Sequence, residues 1–305
     1  MQNKYFLLCG LILFLSFSCK RNFQSSNHRQ ETTDTVFINL DSIRMLNFGD
    51  FFSRIEIIPL SEPYDYNAIL YPLDSISVGN NLYVFIPSNT WTTYANKINN
   101  EDTLFFYSKS RDNILKSITI PYINRYFTYF YPVFSSFEKQ VYIHTGLSNE
   151  LYRVDVKNFS LFPVLITDYG KKTITPEIMK NHKEIPTYQM LEGGHYAFTA
   201  NILQNNKYYL VETWYLQHTF ITFYDKQSRK TATGIDQFSN GIITSNFDYY
   251  IPAIQSMDDE ALSLIVRDLR INSVIDTLYL TEESKKRLSG MEKTNQAVIV
   301  KYFFR

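Results

Sequence analysis

From Thr35 onward the chain is a succession of short apolar runs broken by polar residues, and this punctuation restricts the fold more than any other feature. The runs are Val36–Leu40, Ile55–Leu60, Leu82–Ile86, Leu104–Tyr107, Ile114–Ile120, Val141–His144, Leu151–Val156, Leu161–Thr167, Tyr196–Ala200, Tyr208–Thr213, Phe220–Tyr224, Leu262–Arg267, Thr277–Leu280 and Ala297–Phe303. Tyr152, Val154 and Val156 alternate with Arg153 and Asp155, the pattern of a half-buried strand. Leu82–Ile86 is apolar throughout and suits a strand buried on both faces. Gly79-Asn80-Asn81, Asn99-Asn100, Asn205-Asn206 and Asp225–Ser228 read as hairpin turns. The 24 Tyr and 24 Phe favour strands, and with 10 Gly and 10 Pro the chain is not low-complexity.

Three short helices interrupt this pattern. Asp41–Phe48 follows an Asp cap. Thr175-Pro176-Glu177 sets a cap, a proline at the first helical position and an acid in the first turn, starting a helix to about His182. Thr281–Gly290 has a cap, early acids, late bases and a closing glycine. The helices do not alternate regularly with strands, so a parallel βαβ fold is disfavoured. An all-β sandwich, barrel or propeller fits. Six four-stranded blades of roughly 40–45 residues would fill residues 35–305, although no repeat of that period is visible.

The first residues carry an address. Met1–Lys4 is a short positive start, and Tyr5–Phe17 is an apolar run too short to span a bilayer, which takes roughly 20 residues. It ends at Leu15-Ser16-Phe17-Ser18-Cys19, so residues 1–18 read as a bacterial lipoprotein signal peptide and Cys19 as the acylated residue. Leucine usually stands three residues before such a cysteine; here Ser16 does. Two or more acyl chains give stable anchoring, so the lipid bilayer is the first expected partner. Lys20 follows the cysteine in place of an inner-membrane retention acid. This favours the outer over the inner membrane and leaves its periplasmic or surface face open. Residues 19–34 are polar and read as a tether, and residues 35–305 as the folded domain. Cys9 leaves with the signal peptide, so Cys19 has no intramolecular disulfide partner.

Phe51-Phe-Ser-Arg-Ile-Glu-Ile-Ile-Pro-Leu60 resembles the opening signature of a family of bacterial lipoproteins described as six-bladed β-propellers of unknown function. In that family a short strand and a brief helix precede a segment of this type. Asn80–Val84 and Glu150–Val154 are similar to its blade strands. Glu292–Val300 is similar to its closing segment but lacks the usual proline. The resemblance implies a six-bladed β-propeller with a few short helices in loops, and it carries no catalytic residue. A ring of blades leaves strand edges to be covered, and propellers commonly join both termini in one blade, so Val36–Leu40, which has no partner nearby in sequence, and the last strand, Ala297–Phe303, are expected in the same terminal blade.

No Gly-rich phosphate loop, Gly-x-Ser-x-Gly elbow or His-Glu-x-x-His occurs. His28, His144, His182, His195 and His218 are scattered without metal-ligand spacing, so no metal and no cofactor is expected. Asp258-Asp259-Glu260 lacks the alternating acids of a calcium loop and reads as a solvated turn. Thirty basic and thirty acidic side chains balance, with no basic stripe to attract nucleic acid. Aromatic clusters are the functional hint: Trp91 in a polar stretch, Tyr122, Tyr126, Tyr129 and Tyr131 in one run, and the pairs Trp214-Tyr215 and Tyr249-Tyr250. Such rings stack on sugars, and they also pack between sheets. The leading expectation is a non-catalytic envelope lipoprotein that binds a glycan, peptide or envelope protein through Trp91, Tyr122, Tyr126, Tyr129 and Tyr131. The alternatives are a periplasmic polysaccharide hydrolase or lyase with paired carboxylates at a channel mouth, and a subunit of an envelope assembly without a ligand.

Overall fold

The computed structural model describes residues 33–59, 75–78, 82–85, 102–120, 133–144, 148–175, 177–178, 195–216, 218–235, 254–266, 277–291 and 298–305. The chain divides into two compact units, Met1–Thr33 and Asp34–Arg305. Within the second unit the N-terminal stretch supplies β1 (Asp34–Phe37), α1 (Phe48–Phe51) and β2 (Phe52–Pro59). Four meanders follow in chain order. The first is β3 (Ser75–Val78), β4 (Leu82–Phe85), β5 (Asp102–Ser108) and β6 (Asn113–Ile120). The second is β7 (Val133–Phe137), β8 (Gln140–His144), β9 (Glu150–Asp155) and β10 (Ser160–Asp168). The third is β11 (Phe198–Gln204), β12 (Tyr208–Tyr215), β13 (His218–Asp225) and β14 (Thr231–Ile235). The fourth is β15 (Ile254–Met257), β16 (Ala261–Val266) and β17 (Val298–Phe304), with β2 as its outer strand. All neighbours pair antiparallel except β1, which adds to β10 in parallel.

The fold is therefore all-β. Its described residues form four sheets, none closed on itself, where the sequence led us to expect six. The first strands adjoin in order: β3 beside β7, β7 beside β11 and β11 beside β15. Apolar side chains fill the spaces between neighbouring sheets. Leu104 and Phe106 meet Phe134, Ile143 and Val154 between the first and second. Val36, Leu165, Val211 and Phe220 lie between the second and third. Phe52, Ile57, Leu210, Phe223, Leu264 and Val300 lie between the third and fourth.

Local chemistry sets the hairpins. The carboxylates of Asp155, Asp225 and Asp258 each accept two backbone N–H groups within their turns, at 2.7–3.1 Å. Asn205 Oδ1 does the same for Lys207 and Tyr208 at 2.9 and 2.7 Å. These are Asx turns, in which the side chain replaces a missing backbone partner. Asp258-Asp259-Glu260 is thus a hairpin turn, as read from the sequence. Phe159 and Arg229 close their turns at φ of 52° and 56°.

The stretch before β3 is a strap across three sheets. β1 covers the edge of β10. Next, Leu46 reaches β14 where Gly234 leaves room: a Cβ there would lie 2.6 Å from the Arg44 carbonyl oxygen and 2.6 Å from Leu46 Cγ. α1 follows, with Asn47 Oδ1 capping Gly49 N–H at 3.0 Å. Phe51 stacks on Phe223 with centroids 4.1 Å apart, and Phe48 lies 5.4 Å from Tyr302. β2 then pairs with β17. α2 (Glu282–Met291) packs on β2, and buried Ser284 Oγ accepts the Ile57 N–H at 2.9 Å. The edges of β10 and β17 are covered in this way rather than left open to pairing with other chains.

Several expectations are corrected. Asp41–Phe48 is not helical; the helix starts at Phe48, because Asn47 rather than Asp41 offers the cap. Thr277–Leu280 is a 3-10 turn over Thr277–Tyr279 with one bridge from Leu280 to Ile55. Val36 and the C-terminal strand lie in different sheets, since β17 takes β2 and β1 takes β10. The Thr281 cap is present, with Ser284 N–H on Thr281 Oγ1 at 3.2 Å, and Thr175 Oγ1 accepts the Ile178 N–H at 3.2 Å. The remainder of the second helix lies outside the described residues.

Candidate functional site

Contacts between turns fix the orientation of the sheets. Asn205 Nδ2 donates to the Asp258 carbonyl at 3.0 Å, and Asn206 N–H donates to Asp259 Oδ1 at 2.8 Å. The first turns of the third and fourth sheets therefore lie at one end. Lys226, in the β13–β14 turn, reaches Phe137 at the end of β7, which places the second sheet's first turn there too. Phe106, near the end of β5, meets Phe159 of the β9–β10 turn at 5.0 Å, and so brings in the first sheet. This is the turn end. The opposite strand ends, where chain passes from second to third strands and between sheets, form the loop end.

At the turn end the charged group of Lys226 is held on several sides. Its Nζ donates to Gln204 Oε1 at 3.1 Å and to the Asn205 carbonyl at 2.6 Å. It lies 4.2 Å from the centroid of Tyr209 and 4.6 Å from that of Phe137. Its backbone N–H donates to the Lys207 carbonyl at 2.9 Å. Burial pushes the ammonium down to about 8, against the attraction of the Glu138, Asp259 and Asp34 carboxylates. No single sequence signal marks this residue, because Phe137 and Tyr209 come from distant strands.

At the loop end the β8–β9 corner carries His144, Ser148, Glu150 and Tyr152. His144 is fully buried, and its Nε2 donates to the Ser148 carbonyl at 2.9 Å. That leaves Nδ1 as a buried acceptor with no partner among the described residues. Burial holds the imidazole down to about 4, so it is neutral at pH 7. Glu150 Oε2 accepts from Tyr152 OH at 2.6 Å and from Ser148 Oγ at 3.1 Å. Burial and this carboxylate push the Tyr152 phenol up. Between the second and third sheets the buried hydroxyls of Thr167, Tyr169, Thr199 and Thr213 bond to one another at 2.6–2.9 Å. Glu212, buried on β12, accepts from Asn201 Nδ2 at 3.0 Å.

Cys19, Trp91, Tyr122, Tyr126, Tyr129, Tyr131, Tyr249 and Tyr250 lie outside the described residues, as do His28 and His182. Tyr215 is buried and packs near Phe220, which is a packing role, while Trp214 is half-buried. His195 and His218 are exposed. Among the described residues no group of three or more His, Cys, Asp or Glu is placed to hold a metal ion, and no helix is long and apolar enough to cross a membrane.

No protein-family model matches the chain, and no curated protein matches it. Among solved structures, a protein of Bacteroides fragilis NCTC 9343 described as an inferred exported protein is similar at 10% identity. That match covers 90% of this chain and 99% of the other, with a TM-score of 0.47.

Proposed function

We propose that the chain is a non-catalytic propeller lipoprotein of the bacterial cell envelope, anchored through Cys19, that binds a glycan, peptide or envelope protein at its loop end. The observation that carries this reading is the arrangement of four successive meanders with their first strands side by side, the way a propeller is assembled. Sheets fixed by cores between them are a rigid scaffold for recognition on the connecting segments. Trp91 belongs to the segment between β4 and β5, and Tyr122, Tyr126, Tyr129 and Tyr131 to the one between β6 and β7. The strand ends flanking both segments belong to the loop end, where stacking aromatics would serve a sugar or peptide. The signal sequence supports the envelope address, and Lys20 supports outer-membrane delivery.

The test has two arms. Cys19→Ala should abolish incorporation of labelled fatty acid and release the protein from the membrane fraction; continued acylation overturns the anchor. Purified protein is then titrated with a panel of envelope polysaccharides and peptides. Binding without turnover is expected, weakened about 30-fold by Trp91→Ala or Tyr126→Ala if either is a hot spot. Cleavage of a polysaccharide, lost on a carboxylate-to-amide change, overturns the non-catalytic reading in favour of a hydrolase or lyase.

A further inference from the structure

We infer that the four buried hydroxyls between the second and third sheets form a one-way hydrogen-bond latch, which clamps the β8–β9 corner and the chain leaving β10 onto the third sheet. The direction follows from counting protons. Thr167 Oγ1 donates to the Asn149 carbonyl at 3.1 Å, and a carbonyl can only accept. Each hydroxyl has one proton, so the 2.6 Å bond between Thr167 and Thr199 uses the proton of Thr199. The 2.7 Å bond between Thr199 and Tyr169 then uses the proton of Tyr169, and the 2.9 Å bond between Tyr169 and Thr213 uses that of Thr213. The donors therefore run from Thr213 on β12 through Tyr169, Thr199 on β11 and Thr167 on β10 to the corner at Asn149. Run the other way, the chain would leave the Thr213 proton with no acceptor among the described residues. All four side chains are buried, so bulk water does not compete for these bonds.

The same segments are tied to one another by backbone groups. The Asn149 carbonyl also accepts the Thr167 N–H at 2.7 Å, and Asn149 Nδ2 donates to the Ile174 carbonyl at 2.8 Å. Tyr169 N–H donates to Thr173 Oγ1 at 2.7 Å, and Ala197 N–H donates to the Lys172 carbonyl at 2.8 Å. The corner and the chain after β10 thus form one unit, and the Tyr169 hydroxyl fastens that unit to both β11 and β12. Apolar contacts between the sheets are non-directional, whereas this chain of mutually polarised bonds admits one placement of the corner. The latch holds whether or not the loop end binds a partner.

Urea denaturation of the full chain and its variants tests the direction. Tyr169→Phe strands the Thr213 proton and should raise the unfolding equilibrium constant about tenfold or more. Thr213→Val removes a donor but strands no proton, so its effect should be smaller, about threefold. Adding Thr213→Val to Tyr169→Phe should recover part of the loss, whereas adding Thr199→Val should not. Failure of Thr213→Val to recover any of the loss, or rescue by Thr199→Val, overturns the direction. Amide exchange tests the clamp. In Tyr169→Phe the N–H groups of Thr167, Tyr169 and Ala197 should lose protection together, and by more than that of Asp258, which donates to the Ala261 carbonyl at the turn end. Equal loss at Asp258 overturns the latch. Should Tyr169→Phe not fold, the unaltered protein decides: its Tyr169 hydroxyl proton should exchange slowly with solvent in NMR spectra, and rapid exchange overturns the proposal.

Discussion

His144 couples folding to acid. Its imidazole is held near 4 in the folded protein and returns to its ordinary value of 6.5 when unfolded. Between those values the unfolded chain binds the proton and the folded one does not, so stability falls as pH drops from 6.5 toward 4. The loss attributable to this residue approaches about 3 kcal/mol below that window. Urea denaturation at pH 7 and pH 4.5 should show the decline, and His144→Gln should flatten it; an unchanged slope in the variant would contradict the assignment. Lys226 acts in the alkaline range with a related sign. Its folded value of about 8 lies below the ordinary 10.5, so the unfolded chain holds the extra proton between the two. Its contribution makes the protein gain stability as pH rises from 8 to 10.5, and Lys226→Met should remove that gain. Both effects arise because desolvation outweighs the opposing interaction, the hydrogen bond to the Ser148 carbonyl for His144 and the attraction of nearby carboxylates for Lys226.

The elements most exposed to single substitutions are the covered edges. Ser284 Oγ is the partner of the buried Ile57 N–H, and it also receives the Thr281 hydroxyl at 2.8 Å. Ser284→Ala should leave that N–H without a partner and cost about 1–3 kcal/mol in a denaturation midpoint comparison. Gly234 is required for a different reason. Its φ is not in the left-handed region, so the constraint is steric: an added Cβ meets Arg44 and Leu46 at 2.6 Å. Gly234→Ala should cost about 1–3 kcal/mol, and pairing it with Leu46→Ala should recover part of the loss if the clash is its cause. A neutral Gly234→Ala would show that the strap does not seat on β14.

For the whole molecule, the strap is what joins the second, third and fourth sheets on their outer side. A chain beginning at Asn47 keeps α1 and β2 but lacks β1 and Leu46, leaving the β10 edge uncovered. Such a chain should melt at lower temperature and self-associate in size-exclusion chromatography, because an open strand edge pairs with other chains. An unaltered melting temperature in a monomeric truncation would assign the strap no structural role.

Features that rest on neighbours a few residues apart are written in the sequence. The second and third strands of the third sheet, the Asx turns at Asn205, Asp225 and Asp258, and the Thr175 and Thr281 caps are of this kind, since nearby side chains and their adjoining backbone decide each. The first strands β3, β7 and β15, and the outer strand β14, were not recognised. Ser75, Ser77, Ser135, Ser136, Gln255 and Ser256 interrupt the apolar pattern of the three first strands, whose place comes from pairing within a sheet and from adjoining the next sheet's first strand. Tertiary structure also decided which N-terminal strand completes which sheet. β1 and β2 both mix apolar and polar residues, and their partners lie far along the chain. The same holds for the Lys226 cage, whose rings, amide and carbonyl come from β7, β11, β12 and an intervening turn. Burial and desolvation are sums over distant neighbours, so the basicity of Lys226 and His144 was set only when the sheets packed together.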